Sequence, residues 1–221
     1  MIVLHHCTSA RSFRPLWMLE ELGAPYELRM LPFPPRVFAK PYLDINPLGT
    51  IPLLEDGDTR MTESAAMCEY LPVRCDPENR LGLHVRPDEP AFGAWLNYLH
   101  HGEATLTFPQ TIVLRYARFE TPERRLPQAA EDYAKWFLSR LRGIEAVLSH
   151  NEYLCAGRFT GADISVGYSL MLAQVIDLGP RLPPAVAAYW DRLQQRDGFK
   201  RAMAAQEAAA IAQGLSPKAA A

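Results

Sequence analysis

The 221-residue sequence predicts a small α/β domain of order βαβαββα followed by an all-helical domain. Three observations carry that expectation. The first 31 residues read strand, helix, strand; two short apolar runs flank Asp56-Gly57 and lead straight into a helix; and no convincing strand-like run follows Cys75.

Taken in order, Ile2-Val3-Leu4-His5 leans to β, and the polar stretch Cys7-Thr8-Ser9-Ala10 makes the loop after it. From Ser12, Phe13, Leu16, Trp17, Leu19 and Leu22 recur at helical spacing, Glu20 and Glu21 fill the other face, and Gly23 stops the helix. Pro15 is tolerable because it falls in the first turn, where amides lack intrahelical partners. Tyr26 to Leu31 alternates as a strand, completing a βαβ unit with a parallel pair. The proline-rich segment that follows permits only a short helix around Arg36 to Leu43. Strands at 52–55 and 59–62 form the hairpin, and a helix runs from Ser64 to about Val73. A four-stranded mixed sheet with helices on both faces is the thioredoxin-like architecture.

The polar, proline-bearing stretch from Asp76 to Asp88 marks a boundary: residues 1–76 form the first domain, 77–87 a linker and 88–221 the helical domain. Ala91 to about Arg118 is helical, with a bend or break at Gly102 or Pro109. Ala129 to Ser149 is the clearest helix, with Tyr133, Trp136, Phe137, Leu141, Ile144 and Leu148 on one stripe. Further helices span about 162–178, 184–196 and 198–213, and an alanine-rich tail frays beyond them. Thr160 and Asp163 have capping-box spacing, with Phe159 and Ile164 placed as a hydrophobic staple.

Two stretches carry chemistry. In Asn46-Pro47-Leu48-Gly49-Thr50-Ile51-Pro52-Leu53-Leu54, Pro52 stands at the mouth of an apolar run, where proline is confined to a strand's start, an edge or a bulge. An X-Pro bond has ready access to the cis form, so Ile51 can turn its main-chain amide and carbonyl outward to pair with an extended peptide. The plainer alternative is a loop proline opening an ordinary strand. In Met61-Thr62-Glu63-Ser64-Ala65-Ala66 a strand runs into a helix start, where unpaired amides and the dipole suit a carboxylate and Glu63 suits an adjacent amine. Its plainer alternative is a capped helix with an acidic first turn.

Composition narrows the function classes. A chain 48% hydrophobic and 22% charged buries a full core, and a net charge of -2 gives no electrostatic case for nucleic acid or acidic membranes. The N-terminus lacks a basic region and a long apolar run, which leads us to expect a cytoplasmic protein with no membrane partner. Cys7, Cys68, Cys75 and Cys155 are too scattered for a disulfide framework; Cys68 and Cys75 share a helix face but lie about 10 Å apart along it. Neither a CxxC nor a chelating histidine spacing occurs, since His5-His6 and His100-His101 are adjacent pairs, so no metal is expected.

Asn46 to Pro52, Glu63-Ser64-Ala-Ala and Phe159-Thr-Gly-Ala-Asp163, together with Leu19-Glu-Glu-Leu-Gly-Ala-Pro-Tyr-Glu27, resemble the cytosolic glutathione transferases from residue 1 to about 205. The resemblance implies glutathione as co-substrate. It pairs the main chain of Ile51 with the cysteinyl unit, makes Pro52 the cis-proline, gives Glu63 and Ser64 the γ-glutamyl end and offers Lys40 to the glycyl carboxylate. Thr50 stands where many members have lysine. It also implies a two-fold homodimer, and a small hydrophobic electrophile bound between the domains, with Tyr98, His101, Thr105, Phe108 and Tyr116 as candidate lining.

A thiol near pKa 8.5 is mostly protonated at neutral pH, and a hydroxyl donor beside a helix start favours the reactive thiolate. Counting back 14 residues from Gly23 lands on Ser9, the position that resembles the activating serine; Thr8, Ser12 and Cys7 are the alternatives. Arg11 stands nearby, and His101 is a candidate acid or base in turnover. Two rivals remain open: a glutathione-dependent thiol-disulfide oxidoreductase or isomerase using Cys7, and a noncatalytic module of the same fold.

Overall fold

The computed structural model describes residues 1–219, and Ala220 and Ala221 fall outside the described residues. Among the described residues two compact units form, one from Met1–Leu81 with residues 195–219, the other from Gly82–Gln194. The first unit contains a four-stranded sheet of order β2-β1-β3-β4, built from β1 (Ile2–His6), β2 (Tyr26–Met30), β3 (Leu53–Asp56) and β4 (Thr59–Met61). β1 and β2 are parallel, because α1 (Phe13–Leu22) crosses between them, whereas β3 runs antiparallel to β1 and β4 antiparallel to β3. α2 (Pro35–Phe38), a 3-10 turn over Lys40–Asp44 and α3 (Ser64–Cys75) complete the thioredoxin-like unit.

The expected short helix at 36–43 is therefore two pieces. Pro41 enters the second piece near its start, where its missing amide costs no intrahelical bond. Gly49 closes the following turn at φ 60, and a Cβ there would sit 2.8 Å from both Arg36 and Leu43, so glycine is required on two counts. Asn46 is buried: its side chain donates to Thr50 O at 2.9 Å and accepts from Leu48 N at 3.2 Å, which holds the turn from inside.

α9 (Asp197–Ala212) belongs to the first unit, not to the helical one in which the sequence reading put it. Phe199 meets Trp17 at 5.0 Å and Phe13 at 5.6 Å, both edge to face, and Arg196 grips the Glu21 carboxylate with two bonds of 2.8 Å. Edge-to-face pairs contribute about 0.5–1.5 kcal/mol each beyond their burial, and periodicity, which marks the helix's apolar face, gives no sign of which unit that face meets. Gln213, just past the helix, donates to Leu28 O and accepts from Met30 N, each at 2.9 Å. One side-chain amide thus stands in for a neighbouring strand along the free edge of β2.

The second unit is helical among the described residues: α4 (Phe92–His100), α5 (Phe108–Leu114), α6 (Pro127–Leu148), α7 (Gly161–Val175) and α8 (Pro184–Gln195). Its chain starts at Gly82, inside the expected linker, where Arg158 donates to Gly82 O and His84 O and pairs with Glu89. The bend expected at Gly102 or Pro109 takes the form of wide π-turns, His101–Thr107 and Arg115–Phe119, either side of α5. A Cβ on Gly102 would lie 2.5–2.6 Å from Ser165, so glycine lets α7 approach. The carbonyls loosened there accept hydroxyls: Gly102 O from Thr107 and Ser169, Leu99 O from Ser165. On α6 the stripe is Ala130, Ala134, Phe137, Leu141, Ile144 and Leu148; Trp136, expected on it, is 42% exposed and stacks on Tyr133 at 5.2 Å beneath Arg140. Small alanines fill the stripe where the aromatics were expected.

The capping box forms. Thr160 Oγ1 accepts from Ala162 N at 3.3 Å, and the Asp163 carboxylate accepts from Thr160 N at 2.8 Å, Leu154 N at 3.2 Å and the Tyr189 hydroxyl at 2.7 Å. Burial pushes the Asp163 carboxyl up to about 6, and these donors oppose the push. Replacing Asp163 by alanine leaves buried donors without acceptors, so Asp163→Ala is expected to lower unfolding stability by about 3 kcal/mol. Urea denaturation checks this; a loss below about 1 kcal/mol would contradict it.

Candidate functional site

The sequence-predicted residues gather at one end of the sheet. Extending the antiparallel register from Leu54↔Met61 sets Pro52 level with Glu63, and extending His5↔Leu53 sets His6 level with Pro52 and Cys7 level with Ile51. The loop after β1, the entry to β3 and the exit of β4 therefore share an edge. This is the C-terminal end of the parallel pair, where α/β sheets characteristically offer a crevice. The Ile51-Pro52 bond is cis, and Ile51 lies beyond the last paired position of β3. Its side chain packs into the core with Cys7, Tyr42 and Leu53, leaving its main chain at the rim. Thr50, next in line, is exposed, and its carbonyl accepts from Tyr42 and Asn46.

Glu63 is the N-cap residue of α3, extended at φ −94, ψ 111, and its side chain makes no cap hydrogen bond. Ser64 begins the helix and is buried, yet its hydroxyl faces Arg14 of α1, whose Nη1 donates to Ser64 Oγ at 3.0 Å. The plainer alternative of a capped acidic helix start does not hold here. Neither side chain closes the first turn, and a fully buried guanidinium stands behind it. A hydroxyl that accepts from Arg14 has its own proton left to give outward. Dipole, cation and hydroxyl all favour a carboxylate at this point. Arg14 escaped the sequence reading because it falls among the apolar residues of α1, and an arginine there reads as the helix's solvent face. Its place beside Phe13 and Pro15 in a run buried from Phe13 to Leu19 was the available signal.

Ser9 sits at φ 56, the left-handed region that non-glycine side chains seldom adopt, and is partly exposed. Ser9 N donates to Gln206 Oε1 at 2.9 Å, Gln206 Nε2 reaches Ser9 Oγ at 3.5 Å, and His6 Nε2 lies 3.1 Å from Gln206 Oε1. Gln206 was missed because it lies 197 residues away on a helix assigned to the other unit. The α1 amides of Phe13 and Arg14 bond to Ala10 O and Arg11 O, so these two first-turn amides are occupied within the chain. Of the alternatives to Ser9, Ser12 is buried, with its hydroxyl between Cys7 N at 3.3 Å and Cys7 O at 3.5 Å. Thr8 donates to Ser216 O at 3.2 Å. Cys7 is fully buried, and burial pushes its thiol up to about 12.

Lys40 opens the 3-10 turn and is exposed; among the described residues no hydrogen bond or ion pair joins it to Ser9, Ile51, Pro52, Glu63 or Ser64. In the second unit, His101 and Thr105 line a cleft of about 340 Å³ with Leu96, Asn97, His100 and Ala104. Tyr98 meets the His101 ring edge-on at 6.2 Å, and burial lowers the His101 pKa. Phe108 packs on Tyr133 and Tyr116 lies under Arg115, so neither joins that cleft. Among the described residues no group of three or more His, Cys, Asp or Glu could hold a metal ion, and no helix is long and apolar enough to cross a membrane.

Residues 8–74 match the family described as glutathione S-transferase, N-terminal domain. Glutathione S-transferase 3 of Schizosaccharomyces pombe is 30% identical over 184 residues, covering 79% of this chain and 75% of the relative. The glutathione transferase URE2P6 from Phanerochaete chrysosporium, solved in complex with oxidized glutathione, superposes with a TM-score of 0.79 at 25% identity, over 92% of this chain and 95% of that one. A sphingomonad glutathione S-transferase complexed with glutathione shares the fold at a TM-score of 0.79 and 21% identity, over 92% and 98% of the two chains.

His6, wholly buried, has its pKa lowered to about 4, chiefly by desolvation. An unfolded chain takes up that proton below about 6.5, so the unfolded state binds more protons between about 6.5 and 4 and stability falls as pH is lowered through that window. The limiting slope is about 1.4 kcal/mol per pH unit. Asp163 acts in the opposite sense, its stabilisation being lost as pH rises toward about 6, and this is common to wild type and His6→Asn. Urea midpoints followed across this window should fall more steeply with acid in the wild type; equal slopes would remove His6 as the cause.

Proposed function

This chain belongs to the glutathione S-transferase family, and from that membership we propose that its first unit binds glutathione and that Ser9 holds the bound thiol as thiolate for attack on a small apolar electrophile. The observation that carries the binding reading is the open start of α3 over buried Arg14, with Glu63 unbonded beside it. The γ-glutamyl carboxylate meets the Ser64 hydroxyl and the first-turn amides, Glu63 takes the ammonium, and the Ile51 main chain pairs with the cysteinyl unit in the manner of an added strand. Lys40 is assigned the glycyl carboxylate. Relatives solved with oxidized glutathione or with glutathione support the same ligand class.

For the chemistry, Ser9 supports the thiolate reading through its place in the loop before α1, partly exposed, with Gln206 Nε2 as its only side-chain partner among the described residues. Catalysis then consists of lowering the thiol pKa and positioning it, with no covalent step on the protein. The oxidoreductase alternative needs an ionised, reachable cysteine at the thiol position, whereas Cys7 is buried with a pKa near 12. We further assign the enzyme as a homodimer, on the family resemblance.

Calorimetric titration with glutathione and turnover of an aryl halide test these roles separately. Glu63→Gln and Ser64→Ala are each expected to weaken glutathione binding about tenfold, the effect of losing one charge-assisted hydrogen bond. Ser9→Ala should keep binding within about threefold and lower kcat/KM by about 10- to 100-fold. Absence of glutathione binding by the wild type would instead favour a noncatalytic module.

A further inference from the structure

We propose that Gln206, held by His6, is a positioning residue that turns the Ser9 hydroxyl proton toward the glutathione thiol; the inference rests on the role of Ser9 given above. Ser9 N is a backbone amide and can only donate, so the Gln206 atom 2.9 Å away must be the carbonyl oxygen. The same oxygen lies 3.1 Å from His6 Nε2, which must then carry a proton. With its oxygen fixed by two donors, the amide has its NH₂ left to face Ser9 Oγ at 3.5 Å and Met203 Sδ at 3.3 Å. Ser9 Oγ consequently accepts from behind and directs its single proton away from Gln206, into the loop's open side.

Distance decides which bond does what. The bond to Ser9 N, at 2.9 Å, anchors the loop and supports the left-handed backbone at Ser9. The 3.5 Å contact is weak and sets the direction of the hydroxyl rotor more than its energy. Gln206 is 2% exposed, so no bulk water competes for its amide. It is set in place by α9, whose Phe199 and Arg196 fasten that helix to α1. Among the described residues, His6, lowered to about 4, bonds this amide directly, and Cys7, raised to about 12, begins the loop; Arg11 follows Ser9 by two positions along the chain. His6 and Cys7 are silent at intermediate pH, so a thiolate absorbance that appears there on adding glutathione belongs to the bound thiol.

The test is the thiolate absorbance of the binary glutathione complex, followed against pH by ultraviolet difference spectroscopy, in wild type, Ser9→Ala, Gln206→Glu and Gln206→Met. A carboxylate at 206 accepts from Ser9 N and His6 but cannot donate to Ser9 Oγ, and it draws the serine proton backward. Gln206→Glu should therefore raise the midpoint of bound thiolate by about one pH unit while glutathione affinity stays within about threefold. Gln206→Met, apolar and of similar length, should raise the midpoint as well and also weaken binding as the loop loses its anchor. In the Ser9→Ala background the neutral Gln206→Met should not move the midpoint further, because Gln206 acts through the hydroxyl; independent structural damage would add instead. Midpoints unchanged by the Gln206 substitutions, with Ser9→Ala shifted, would overturn this inference alone. A midpoint unmoved by Ser9→Ala would overturn the role of Ser9 itself.

Discussion

The packing of α9 against α1 is the contact on which the rest of the first unit depends. Phe199 between Phe13 and Trp17, with Arg196 locked on Glu21, returns the end of the chain to the sheet that its beginning built. Gly198 makes this possible by passing close over the Glu21 carboxylate, where a Cβ would sit 2.4 Å from that carboxyl carbon. Once α9 is down, Gln206 and Gln213, seven residues apart and so about two turns along one face, meet the Ser9 loop and the free edge of β2. A single helix thereby seals an edge prone to pairing and holds a loop that would otherwise relax out of the left-handed region.

The two serines at the sheet end obey one rule. Each hydroxyl has a buried donor behind it, Arg14 behind Ser64 and Gln206 behind Ser9, and a hydroxyl that accepts from the protein is left with one proton for whatever lies in front. Serine is well suited to this because its short side chain has little rotamer freedom to lose. The donors differ as their tasks do. A guanidinium adds charge where a carboxylate is to be bound, whereas a neutral amide orients the hydroxyl without supplying a competing anion or cation.

In the second unit the buried polar groups perform a different task. Asp163 collects donors from its own helix start, from the Leu154 amide and from Tyr189, so the turn at Thr160 is welded to two neighbouring segments. Ser165, Ser169 and Thr107 take up the carbonyls of Leu99 and Gly102, which lets the α4–α5 segment carry a glycine and a proline without breaking. These groups give the unit its shape; the chemistry of the sheet end does not pass through them. His5 and His6 show the same economy within one strand. Adjacent strand residues face opposite sides, so one pairs with Glu55 and the other with Gln206.

What the sequence by itself determined was whatever a few neighbouring residues dictate: the order of strands and helices, the turn at Asp56-Gly57, the helix beginning at Ser64 and the capping box at Thr160. Such features arise from local sterics and hydrogen bonds, and they are written within five or six positions. Tertiary structure alone decided that α9 joins the first unit, that Trp136 faces out while Ala130 and Ala134 face in, and that Arg14 and Gln206 stand behind the two serines. Those partners are 50 and 197 residues apart along the chain. Periodicity marks which face of a helix is apolar but not which surface it meets, so a buried arginine or glutamine reads as an ordinary solvent residue until the fold brings its partner to it.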